Sequence, residues 1–269
     1  MGDLIYLDSN AVTKLWNDYV RHTGEGSSEL DYSLTPFKNA VISEYVLDEM
    51  LMVENQDSVK RHAAFITIFQ RISLLKAITT IIKEGINNPS DFYAPANLAS
   101  SVAISRLTEV LTGELSGETK KALEEKQQFA EMCTWYQQGP QEETPRYMQP
   151  EKREDIRTVI KEILSRIGSA NPMNLKMFNL LCMELYVAKR QRKIKKPTGI
   201  QFYKANKHTF NDQIDFYHLS YLPLVNTFIS GDEGLLYVAQ EIVNMGLDDC
   251  KIVHTGEYWK NWLKDGGRK

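Results

Sequence analysis

Near its amino terminus the chain reads Leu4-Ile5-Tyr6-Leu7-Asp8-Ser9-Asn10, and from Ala11 to Tyr19 the apolar residues return at helical spacing. Four apolar residues stopped by three polar ones spell a short strand, a turn and a helix, the opening unit of an α/β fold. An acid at the carboxyl end of a parallel strand stands where open α/β sheets bind their ligands. The same residue type in a strand-to-helix turn commonly caps the helix. Asp8 alone leaves both roles open.

The pattern returns near the other end of the chain. Leu224 to Ile229 reads as a strand that stops at Ser230-Gly231-Asp232, just before a helix over 234–245. Lys251 to His254 reads as a last short strand, with a terminal helix over 257–263. Val41 and Ile42 make a second strand, and Val46, Leu47, Met50 and Leu51 then lie at helical spacing within 44–54. Strands carried by both ends of a chain meet in one sheet, which predicts a parallel α/β sheet flanked by helices. Residues 56–205 read as a helical block with no strand candidate. Its first helix starts at Asp57 and carries Ala63, Ile66, Phe69, Leu74, Ile78 and Ile81; others follow over 98–111, 119–136, 153–167 and 171–192. The expected organisation is a sheet domain in two parts, 1–55 and 206–269, around an all-α insertion at 56–205.

Composition narrows the classes. Of 269 residues, 42% are apolar and 25% charged, which excludes a disordered or collagen-like chain. No apolar stretch nears the roughly 18 residues of a membrane span, and no leader of the secretory type is visible. Cys133, Cys182 and Cys250 are far apart with no CxxC spacing, so neither a disulfide framework nor a zinc site is expected, and a reducing cytoplasm fits. The 32 basic and 35 acidic residues leave a net charge of −3, so overall charge cannot draw the chain to nucleic acid; a local patch must do so. Lys189, Arg190, Arg192, Lys193, Lys195 and Lys196 form such a patch, six cations in eight residues. They suit sequence-independent phosphate contacts, although cations at a helix carboxyl end also complement its dipole. Tyr203, Lys204, Lys207 and His208 extend the patch with an aromatic able to stack on a base.

The remaining candidates are acids. Asp212 and Asp215, three apart on a helix, share a face and repel unless a cation or the helix dipole offsets them. His218 reads as a packing or supporting residue rather than a ligand. Among Glu44, Asp48 and Glu49, Glu49 sits between Leu47 and Met50 and is expected to face inward, with Glu44 in reserve.

In their order along the chain these segments resemble the PIN domain family of nucleases. Leu4 to Asn10 is similar to that family's first strand with its Asp-x-Asn ending, and Ile42 to Met50 to its second motif, with Glu49 as the acid. Asp212-Gln213-Ile214-Asp215 with His218-Leu219 resembles the third motif. Phe228 to Asp232 resembles the fourth, where Ser230 stands in place of the usual Thr. The resemblance covers about residues 1–55 and 206–255. It implies Asp8, Glu49, Asp212 and Asp232 as catalytic and metal-holding acids, Asp215 as a further acid, and Asn10 and Ser230 as orienting groups. It also implies Mg²⁺ or Mn²⁺, which prefer carboxylate and water oxygens and can activate water beside a phosphodiester.

The activity so implied is metal-dependent endoribonuclease cleavage of single-stranded RNA, with a toxin or defence role as an extension. The insertion could meet a protein partner or inhibitor, or shape the substrate channel. Two other readings stay open: a catalytically silent scaffold binding RNA or protein, and a structure-specific DNA nuclease, for which Asp215 would supply an extra acid. An aspartyl phosphatase fits poorly, because Asp8-Ser9-Asn10 lacks the second aspartate.

Overall fold

The computed structural model describes residues 4–23, 36–51, 69–86, 88–121, 124, 210–244 and 250–266. In chain order these contain β1 (Ile5–Leu7), α1 (Ser9–Thr23), β2 (Ala40–Ser43), α2 (Glu44–Leu51), β3 (Ser73–Leu75), α3 (Ile78–Glu84) and α4 (Leu98–Thr112). After residue 209 come α5 (Phe210–Leu219), β4 (Thr227–Ser230), α6 (Glu233–Val243), β5 (Lys251–His254) and α7 (Thr255–Lys264).

Strands of three or four residues cannot bury a core alone, so they hold together by sharing one sheet. The five lie in the order β3-β2-β1-β4-β5, and every neighbouring pair is parallel. Tyr6 stands opposite Val41 on one side and Phe228 on the other, and all three point into one core. Leu7, Ile42 and Ile229 point into the opposite core, against α1 and α2. With both faces covered, β1 and β2 are apolar at every position but Ser43, as buried parallel strands require, whereas the edge strand β5 is only partly buried. This α/β architecture is the class predicted from the two ends of the chain.

The path of the chain through the sheet positions the site. From central β1 it moves outward through β2 to β3, and later returns to the other side of β1 through β4 to β5. The direction of winding therefore reverses between β1 and β4. At such a switch point the two strand-to-helix turns diverge and leave a crevice at the carboxyl edge, the usual ligand site of open α/β sheets.

Two element boundaries differ from the sequence expectation. Residues 73–75, placed there in a long helix, form β3, so the interval after residue 56 is not wholly helical. Three apolar-edged residues carry too little periodicity to separate strand from helix. Pairing decides the matter: Val41, Ile42 and Ser43 meet Ser73, Leu74 and Leu75. The outer edge of β3 is closed in turn by Phe92 to Ala94, through Lys76 N–H to Phe92 O and Ala94 N–H to Leu74 O, both at 2.8 Å. The strand predicted from 224 begins at Thr227 instead, because Leu222–Leu224 closes a 3-10 turn around Pro223. The other helices expected beyond residue 124, up to 209, lie outside the described residues, as does the basic run from Lys189 to Lys196. Among the described residues, no helix is long and apolar enough to cross a membrane.

Candidate active site

Asp8 is the first residue beyond β1, and both its oxygens are engaged. Oδ1 accepts the Ala11 N–H at 2.6 Å, which caps α1. Oδ2 accepts the Ser230 hydroxyl at 2.5 Å, across the switch point from the last residue of β4. One oxygen thus caps α1 while the other ties the end of β1 to the end of β4. The side chain is only 3% exposed. Burial pushes its carboxyl up from 3.8 to about 6; nearby His218, the Ser230 hydroxyl and the Ala11 N–H pull it down, and the Glu49 charge raises it.

Glu49 reaches the same region from α2. Its Oε2 lies 3.2 Å from His218 Nε2, with the side chain 20% exposed. The Glu44 carboxylate is occupied elsewhere, accepting the Ala77 N–H at 2.8 Å ahead of α3. Of the two acids weighed for this role, Glu49 is the one that shares an electrostatic neighbourhood with Asp8 and His218.

His218, on α5, is buried behind these acids. Its Nδ1 is 2.6 Å from the Tyr6 hydroxyl, which is 2.7 Å from Ser43 Oγ. Rings enclose it: Tyr6 stacks between Tyr221 and Phe228, and Tyr45 meets the imidazole edge-on. Burial alone would lower the histidine, but the hydrogen bond and charge of Glu49, with Asp8 and Asp215, leave it raised above 6.5. Burial holds the Tyr6 phenol well above its ordinary value, so it stays protonated.

The loop after β4 completes the edge. Ser230 Oγ also accepts the Asp232 N–H at 2.9 Å. Asp232 itself is exposed and caps α6, its Oδ1 accepting the Leu235 N–H at 2.9 Å. Lys14 of α1 donates to Gly231 O at 3.0 Å. A Cβ on Gly231 would lie 2.6 Å from Lys14 Nζ and 2.8 Å from Asn10 Oδ1, so glycine is what lets both side chains close over the loop.

The structure therefore joins Asp8 to Ser230 by a hydrogen bond, with Glu49 within electrostatic reach of Asp8 and Asp215 within reach of His218. Asn10 lies on the exposed rim at Gly231. Asp232 adjoins the cluster through Ser230 while serving as a cap. Asp212 falls on α5, but its side chain is not among those described. Lys14, Tyr6 and Ser43 have no role in the sequence reading. Ser43 and Tyr6 are 37 residues apart, and Tyr6 and His218 are 212 apart, so no local pattern links them.

Hard carboxylate oxygens suit Mg²⁺ or Mn²⁺, which are commonly held by one or two carboxylates with water and substrate phosphate completing the shell. Asp8 and Glu49 match that chemistry, since a buried acid raised by burial and a like-charged neighbour is relieved by a cation. Among the described residues, no group of three or more His, Cys, Asp or Glu is placed to hold a metal ion. No family model, curated protein or solved structure matches the chain.

Proposed function

We propose that the chain is a Mg²⁺- or Mn²⁺-dependent nuclease of the PIN-like kind, cutting phosphodiester bonds in single-stranded RNA. The carrying observation is Asp8: a buried carboxyl with a pKa near 6, at the switch point of a parallel sheet, within the field of Glu49. A structural cap would sit as well in the open, where its charge is solvated. Burying an acid in this way is a device of sites that bind cations or move protons.

In this reading Asp8 and Glu49 hold the ion, with Asp212 and Asp215 as further acids on α5. The ion, when bound, supplies an activated water and neutralises charge on the scissile phosphate. Ser230 holds Asp8 Oδ2 in a fixed direction. Lys14 and Asn10 stand at the rim, where an ammonium and an amide suit a phosphate or sugar oxygen. The basic run Lys189 to Lys196 provides sequence-independent grip on the strand.

One observation favours a second reading. Asp232 is exposed and caps α6 through Oδ1, and the described acids do not form a cluster of three. That suits a PIN-like scaffold which binds RNA or protein without cutting. Purified chain incubated with single-stranded RNA and DNA, with Mn²⁺ or with EDTA, separates the two. The nuclease reading expects Mn²⁺-dependent cutting of RNA that Asp8→Asn abolishes. Binding without cutting supports the scaffold, and cutting of branched or flapped DNA alone supports a DNA nuclease.

A further inference from the structure

Behind the half-buried Glu49 runs a chain of polar atoms that a packing role does not explain: the buried Ser43 Oγ, Tyr6 OH, His218 Nδ1 and His218 Nε2, ending on Glu49 Oε2. The steps are 2.7, 2.6 and 3.2 Å, and they tie β2, β1, α5 and α2 together. Ser43, Tyr6 and His218 are each no more than 1% exposed, so no water replaces a lost partner there.

Proton accounting fixes which imidazole nitrogen faces the acid. With neutral His218, Ser43 donates to Tyr6, Tyr6 donates to Nδ1, and Nε2–H is left to donate to Glu49. With imidazolium, Nδ1–H donates to Tyr6, Tyr6 donates to Ser43, and Nε2–H again faces Glu49. Nε2–H thus faces Glu49 in both states, with no heavy atom displaced. The relay therefore presents a donor to Glu49 Oε2 in either charge state. It leaves the second carboxylate oxygen as the one not claimed by the histidine.

We propose that His218, anchored by Tyr6 and Ser43, is a positioning residue that aims the Glu49 carboxylate at a divalent cation shared with Asp8. This rests on the metal-dependent reading above and adds the element that orients the second acid. Partners behind a metal-holding side chain typically change metal affinity about 10- to 100-fold when removed.

The test is Mn²⁺ affinity of the full chain, read by calorimetry and by the paramagnetic resonance of free Mn²⁺, with circular dichroism as the check on folding. His218→Leu is expected to weaken Mn²⁺ binding about 10- to 100-fold, and Tyr6→Phe several-fold, in folded protein. In a Glu49→Gln background, His218→Leu is expected to add less than about twofold, because the two act through one another. A structural role alone would lower the melting temperature and leave affinity unchanged. The proposal is overturned if folded His218→Leu binds Mn²⁺ like the parent, or if its full loss persists with Glu49→Gln. Should His218→Leu fail to fold, Tyr6→Phe carries the same comparison in both backgrounds. A parent chain with no Mn²⁺ affinity would overturn the metal reading itself, an outcome distinct from both.

Discussion

Asp8 carries two duties on one carboxyl group, and its protonation couples them. The folded chain keeps a proton on Asp8 up to about pH 6, whereas the unfolded chain releases it near 3.8. Its contribution to stability therefore falls as pH rises through that window, by at most about 3 kcal/mol. His218, raised by Glu49, acts in the same direction, since its contribution is fully present below 6.5 and is lost as pH rises through its folded pKa. In EDTA the chain is accordingly expected to melt at lower temperature at pH 8 than at pH 5.5, and thermal melts across this range check it. Asp8→Asn keeps a cap oxygen for Ala11 and removes the buried charge, so it is expected to raise stability at pH 8 by about 1–2 kcal/mol while abolishing cleavage. A variant that loses stability at pH 8 would mean that the Ser230 contact outweighs the desolvation of Asp8.

At the scale of elements, the turns after β1 and β4 carry the site residues, and the edge strand β3 completes the sheet beside β2. Asp232 caps α6, and Asn caps a helix as well as Asp does. Asp232→Asn is therefore expected to melt like the parent, and Asp232→Ala to lose about 1 kcal/mol. If the carboxylate also serves the reaction, both substitutions lower cleavage by an order of magnitude or more, and an active Asp232→Asn would restrict this residue to capping. In β3, Leu74 and Leu75 enter opposite cores, which neighbouring residues of a strand do. Leu74→Ala and Leu75→Ala are each expected to cost about 2–4 kcal/mol by denaturant titration. The exposed Ser73 is expected to tolerate Thr. The strand was illegible beforehand because three residues show no period; its hydrogen bonds come from β2, some thirty residues earlier.

For the whole molecule, binding and folding are linked. If Asp8 and Glu49 hold Mn²⁺, a hundredfold excess over the dissociation constant adds about 2.7 kcal/mol to stability. A thermal shift on adding Mn²⁺ is thus expected in the parent and absent in Asp8→Asn. Replacing the six cations between Lys189 and Lys196 by Gln is expected to weaken RNA binding uniformly across sequences and flatten its salt dependence, read as the slope of log affinity against log salt.

The sequence by itself determined the alternation at both ends, the acid after each flanking strand and the order of the acidic segments. Short-range patterning of apolar and polar residues is enough for that. Composition likewise excluded a disordered chain. Only the tertiary structure decided that β1 lies between β2 and β4, so that Asp8 meets Ser230 over 222 residues of chain. It gave Glu49, the acid preferred from the sequence, His218 as its partner, and gave Glu44 the Ala77 N–H. It also assembled Ser43, Tyr6 and His218 into a relay. Such contacts arise from strand pairing and layer packing, which act between residues that no local pattern relates, and burial then makes each of those polar groups depend on the partner it meets.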